Sequence, residues 1–261
     1  YYNRGFAYRA RADYERAIAD FTRVVALDPE AADAYHARGI SHFLDGASAQ
    51  AISDYEEALE RDPELWVAYR DRALAYEDQG DYQKAIEDYG RALEHTAEDA
   101  LLLTSRGHAH LSAGSVAEAF ADFDRALDVD PDSGLAYHGR GLAHRDSGAF
   151  DLAIEDFTRA AGRLADAADV YADRGYAYAS SGRLEQAVED YNRALQLNSD
   201  HVAAHFNRAC ALSLQRKTGS LVTDLTRAIE LDPSLAEHGR HDPELEWARR
   251  ELPDVQKLLG L

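Results

Sequence analysis

The stretch AYHARGISHFLDGASAQAISDYEEALERDP, Ala34 to Pro63, decides the fold. A helical run of about Ala34 to Asp45 carries Gly39 at its centre, and Gly46 follows it. A second helical run spans about Ala49 to Arg61, and Asp62-Pro63 closes it. Stepping outward by 34 residues, the same pattern returns along the chain. Gly5, Gly39, Ala73, Gly107, Gly141, Gly175 and Ala209 form one column. Ala17, Ala51, Ala85, Ala119, Ala153 and Ala187, then Leu221, form a second. An aromatic or leucine column reads Phe21, Tyr55, Tyr89, Phe123, Phe157, Tyr191, Leu225. A repeat of this period is one supersecondary unit that cannot bury both its faces alone and must stack on its neighbours.

The punctuation agrees with paired helices. Gly46, Gly80, Gly114, Gly148 and Gly182 stand where a helix must end in a left-handed residue. Asp-Pro closes units at Asp28-Pro29, Asp62-Pro63, Asp130-Pro131 and Asp232-Pro233, since proline cannot continue a helix. The small columns let two helices cross closely, and the aromatic column fills the space beside the crossing.

These features together, Tyr-x-x-x-Gly-x-Ala-Tyr followed by Gly, Ala, Phe or Tyr, Ala and Pro at fixed offsets, resemble the tetratricopeptide repeat. The likeness covers residues 1 to about 235 as seven units, 1–31, 32–65, 66–99, 100–133, 134–167, 168–201 and 202–235. It implies an all-α fold, an α-solenoid of stacked antiparallel helix pairs with a right-handed superhelical sense. The third, fifth and sixth units lack the closing proline. The seventh has Arg216 in place of the turn glycine, which predicts an irregular loop over Gln215 to Ser220. Residues 236–261 break the period and read as capping helices, one near Pro243 to Glu251 and one from Pro253. Trp247, Leu252, Leu258 and Leu259 are their expected packing residues. The chain opens at Tyr1 inside a helical pattern and has no methionine, so it reads as a trimmed chain or fragment.

An arginine precedes each member of the small column, and an aspartate lies sixteen residues after each arginine. The pairs in the second to sixth units are Arg38 with Asp54, Arg72 with Asp88, Arg106 with Asp122, Arg140 with Asp156 and Arg174 with Asp190. Arg4 with Asp20 and Arg208 with Asp224 extend the series to both ends. Many tetratricopeptide units have leucine at the arginine position, inside the helix pair. A lone charge there is costly, so the column is expected to form structural ion pairs.

The resemblance also implies a concave groove lined by the first helix of each unit. By register its residues include Phe6 in the first unit, His36, Ile40 and Phe43 in the second, and Arg70 and Leu74 in the third. The fourth offers His108, the fifth His138, Leu142 and Arg145, the sixth Tyr176, and the seventh Phe206 and Asn207. Apolar anchors interspersed with polar groups suit an extended peptide or a partner helix. The lysine and asparagine clamp that grips Hsp70 or Hsp90 C-terminal tails is not spelled by the corresponding residues, so those tails are not expected as ligands.

Composition narrows the partner. A net charge of -20 disfavours nucleic acid and anionic membranes. No apolar run spans a bilayer, and the single cysteine, Cys210, permits no intrachain disulfide. Arginine far outnumbers lysine, a bias that hints at a bacterial chain, and a cytoplasmic location is expected. His108 and His138 lack a nearby third ligand, so no metal site is expected, and Cys210 reads as a buried, inert thiol. His42, His110 and His144 read as packing residues. No phosphate loop, dinucleotide fingerprint or nucleophile elbow is present, so neither cofactor nor catalysis is expected. The resulting reading is a non-catalytic scaffold that binds a peptide or helix of a partner protein in the concave groove, with the recognition or sensor module of a larger bacterial protein as its narrower form. The alternative is a structural module that self-associates through its N-terminal edge, or docks or regulates a fused or neighbouring effector domain.

Overall fold

A computed structural model describes residues 1–96 and 98–261, and every regular element among them is helical. Two compact units divide the chain, Tyr1–Pro131 and Asp132–Leu261. The first holds α1 (Tyr2–Arg9), α2 (Tyr14–Leu27), α3 (Ala32–Leu44), α4 (Ser48–Arg61), α5 (Trp66–Asp78), α6 (Tyr82–Thr96), α7 (Ala100–Ser112) and α8 (Val116–Val129). The second holds α9 (Gly134–Asp146), α10 (Phe150–Ala161), α11 (Ala168–Ser180), α12 (Leu184–Leu197), α13 (Val202–Leu214) and α14 (Leu221–Leu231). It ends in α15 (Leu235–His241), a 3-10 turn at Pro243–Leu245, α16 (Glu246–Glu251) and α17 (Pro253–Leu259). Within each unit, consecutive helices of the repeats pack on one another, which makes an all-α helical-repeat architecture.

The two kinds of turn have different chemistry. Between the first and second helix of a pair, Gly46, Gly80, Gly114, Gly148 and Gly182 take φ of 75 to 79°. Ala12 and Arg216 occupy the same place in the first and seventh repeats, at φ 56° and 55°. A side chain in this region is disfavoured. After Arg216 the next helix starts only at Leu221, so residues 215–220 form a longer turn than in the other repeats. Between pairs, Asp28, Asp62 and Asp232 adopt extended backbone, as a residue before proline must. The side chain of each accepts a hydrogen bond from the N–H two residues on, at 3.0 to 3.2 Å. Asn198 makes the same turn at 3.0 Å without a proline, which is why the sixth repeat does not need one.

The core of five pairs is a ring set against a missing side chain, and Ala73 and Ala209 stand in the glycine's place in the third and seventh repeats. A Cβ placed on Gly39 would lie 2.6 Å from Tyr55, and one on Gly107 or Gly141 would lie 2.6 Å from Phe123 or Phe157. All three rings are at most 1% exposed. The C-terminal segment closes the last repeat. Leu245, Ala248, Val255 and Leu259 are fully buried with Leu225 and Ala228. Trp247, Leu252 and Leu258 are partly buried beside them. Helix α15 is an addition to the sequence reading, which named capping helices only near Pro243 to Glu251 and from Pro253.

Substituting Gly141 with valine forces two methyls and a Cβ into the space that Phe157 fills. The expected cost is about 1–3 kcal/mol, measured as a shift of the urea denaturation midpoint at unchanged slope.

Candidate functional site

The arginine column sits at the helix crossings just described. Arg4, Arg38, Arg72, Arg106, Arg140, Arg174 and Arg208 each donate through Nε and Nη2 to both oxygens of the aspartate sixteen residues on. The geometry is bidentate, for example 2.7 Å on both arms between Arg174 and Asp190. Every one of these aspartates is buried. The carboxylate of Asp190 holds the Arg174 guanidinium above its ordinary pKa, as Asp122 does for Arg106. Arg174 also uses Nη1, which donates to Thr158 Oγ1 at 2.9 Å on the preceding pair. Arg38 reaches Thr22 and Arg208 reaches Asn192 in the same way. One guanidinium therefore joins three helices.

Histidines enter this column too. Nε2 of His42, His110 and His144 lies 3.7, 3.9 and 3.7 Å from the carboxylates of Asp54, Asp122 and Asp156. They are more than packing residues, because each faces the ion pair of its own repeat. Burial pulls the His110 pKa down, against the opposing pull of Asp122, and its Nδ1 is buried without a hydrogen bond.

The faces expected to line a groove are arranged separately in each unit. In the first, His36 Nε2 lies 2.8 Å from Asp71 Oδ2, and Arg70 Nε donates to Asp71 Oδ1 at 2.8 Å. Ile40 and Phe43 are half-buried against the core, while Leu74 is exposed. Phe6 packs edge-on against Phe21 under the Arg9 guanidinium. His108 packs edge-on against Phe123.

The second unit repeats the histidine–aspartate contact in the same register. His138 Nε2 lies 2.8 Å from Asp173 Oδ2, and Arg145 Nη1 donates to Asp173 Oδ1 at 2.7 Å. Arg145 is held further by Asp146. His201 Nδ1 accepts from the Ala204 N–H, so its Nε2 carries the proton and donates to Asp169 at 3.0 Å. These groups line a cleft of about 740 Å³ together with Phe150, Tyr176 and Asn207. Tyr176 is 45% exposed at its mouth, and the Arg145 guanidinium lies over its ring. Leu142 is half-buried and does not line this cleft. Phe206 is buried, because the C-terminal segment covers it, and it lines an adjoining cavity of about 530 Å³ with Tyr176, Asn207 and His238.

The sequence reading placed His36 and His138 on the groove but did not pair them. The carboxylates that hold them lie thirty-five residues on, a spacing that a search for partners one repeat away would have found. Chemically, the charged groups of both faces largely neutralise one another. What they leave for a ligand in the second unit is an aromatic ring, an amide and the walls of a cleft.

Models of the family described as "Tetratricopeptide repeat" match residues 2–65, 70–134 and 104–169, and one described as "TPR repeat" matches residues 175–215. No curated protein matches the chain significantly. Among solved structures, a tetratricopeptide repeat protein from Parabacteroides merdae is similar over 99% of this chain and 95% of its own, with a TM-score of 0.75 and 18% identity. Cut9 in the APC/C hetero-tetramer Cut9-Hcn1 is described for a structure similar over 98% of this chain, with a TM-score of 0.74 and 17% identity. The present chain covers 47% of the length of that one. YrrB, described as a TPR protein with an unusual peptide-binding site, is similar over 70% of this chain and 95% of its own, with a TM-score of 0.55 and 23% identity. At these identities the likeness is one of fold.

Two predictions follow from the column. Replacing Arg174 by alanine leaves Asp190 buried and unpaired, and is expected to cost about 3 kcal/mol. The double variant Arg174→Met, Asp190→Leu should recover most of that loss in the same denaturation assay. The depressed pKa of His110 means that the unfolded chain binds a proton the folded chain resists. Stability is therefore lost as pH falls through the ordinary histidine value of about 6.5. His110→Tyr, the residue found at Tyr8, Tyr76 and Tyr178, should show a smaller loss between about pH 7.5 and 5.5 than the wild type, since no proton is then taken up at this position.

Proposed function

This chain belongs to the tetratricopeptide repeat family, and from that premise we propose that it is a non-catalytic scaffold whose second unit holds a peptide segment of a partner protein. Repeats of this family generally mediate protein–protein interaction. The observation that carries the reading is the cleft bounded by Arg145, Asp173, Tyr176, His201 and Asn207. Its side chains come from α9, α11 and α13, three successive first helices, so an extended segment crossing them meets one repeat after another. The polar walls are held in place by their own hydrogen bonds, which reduces the ordering cost of binding. Tyr176 supplies an exposed aromatic anchor, and aromatic anchors dominate interface energetics. Asn207 supplies an amide that can pair with a peptide backbone.

The reading also rests on charge. The chain carries a net charge of -20, which favours encounter with a partner segment that is neutral or basic. No helix among the described residues is long and apolar enough to cross a membrane.

Selection of displayed peptides on the intact chain, followed by titration calorimetry, tests this reading. Peptides enriched on the wild type should bind the double variant Tyr176→Ala, Asn207→Ala at least about tenfold more weakly, with an unchanged circular dichroism melt. Equal affinity for both proteins would place the binding surface elsewhere.

A further inference from the structure

Donor groups of several kinds converge where the last repeat meets the C-terminal segment. Cys210 projects from α13 and is 1% exposed. Asp242 caps the 3-10 turn, and its Oδ1 accepts from the Glu244 N–H at 2.8 Å. That leaves Oδ2 facing the Cys210 thiol at 3.8 Å and His238 Nε2 at 3.6 Å. Glu244 brings a second carboxylate, and the Cys210 sulfur and one oxygen from each acid lie within 4.8 Å of one another.

Judged as a hydrogen-bond network, this cluster is poor. The thiol has one proton and faces two carboxylates, so it cannot donate to both at once. Acidic groups brought together in this way lack a positive charge at their centre.

As a ligand set, the cluster offers one sulfur and two carboxylates within reach of one ion, and His238 stands beside it against Asp242. Around zinc, with nitrogen or oxygen at about 2.0 Å and sulfur at about 2.3 Å, the edges of a tetrahedron are about 3.3 to 3.5 Å. The two edges that meet at Asp242 Oδ2, 3.6 and 3.8 Å, are within a small side-chain rotation of those lengths. The thiolate and imidazole select a zinc-class ion over magnesium or calcium, which take oxygen ligands. The Asp242 cap bond already orients its carboxylate, as the outer partners of metal ligands do.

We propose that Cys210, Asp242 and Glu244, with the exposed His238 ring turning in from the side of Asp242, bind a zinc-class divalent cation that clips the C-terminal segment to α13. Under this proposal Cys210, read from the sequence as an inert thiol, is a ligand. A clip at this point joins the closing segment to the last repeat through ligand bonds as well as through the apolar contacts of Leu245, Val255 and Leu259. Its role is structural, because it stabilises the folded form in proportion to metal binding.

The test is titration of the reduced, chelator-stripped, tag-free chain with cobalt(II) as a spectroscopic probe, then with zinc(II). One equivalent of cobalt should produce a thiolate-to-cobalt charge-transfer band and the intense d–d bands of a four-coordinate ion. Zinc should displace it and raise the melting temperature. Cys210→Ser should abolish the charge-transfer band. Asp242→Asn keeps a cap acceptor and should weaken zinc binding by about tenfold or more. Absence of the band at saturating cobalt overturns the proposal, as does zinc affinity unchanged in both variants.

Discussion

The closest approach in each helix pair sets the geometry of everything around it. Gly39 lies against Tyr55, Gly141 against Phe157 and Gly175 against Tyr191, each pair sixteen residues apart and too close for a Cβ without movement of the ring. The arginine is the residue before the glycine and the aspartate is the residue before the ring. The contact that excludes a side chain therefore also brings guanidinium and carboxylate face to face. Apolar packing alone could slide along the helix axis, whereas a two-armed hydrogen bond cannot. The column acts as a register pin placed beside the tightest contact, repeated through both units.

Burying so many charges is tolerated because each aspartate is fully engaged. Asp224 is the extreme case, accepting from Arg208, from Ser220 and contacting His205. The same economy governs the faces expected to line a groove, where Asp71 and Asp173 each hold a histidine and an arginine. Much of the positive charge is thus spent inside the protein, and the acidic excess faces solvent. On the proposed function, a partner segment meets a shaped cleft held by a stiff polar framework rather than unpaired charge.

Much of this architecture was legible from the residues. Column positions thirty-four apart located the helix pairs, because packing between repeats demands the same small and aromatic residues at each crossing. The arginine–aspartate spacing singled out the ion pairs, because no other carboxylate keeps step with the arginine in every unit. The turn at Arg216 stood out because its glycine is missing. Less legible were the partners of His36 and His138, which come from the neighbouring repeat and depend on how two first helices align. The covering of Phe206 was hidden for a similar reason, since a segment without periodicity packs over it.

The sequence by itself determined the helical repeat, the crossing contacts and the acidic character of the chain, since all three follow from residue type at a fixed period. Tertiary structure decided which polar groups meet. It set His138 and Arg145 on Asp173, turned Tyr176 toward the cleft, and gathered Cys210, Asp242 and Glu244 at one point with His238 beside Asp242. The physical reason is range. Helix formation and pair packing are encoded within a single repeat, whereas these contacts depend on the angle between repeats and on the path of a non-repeating segment, and neither leaves a periodic mark on the chain.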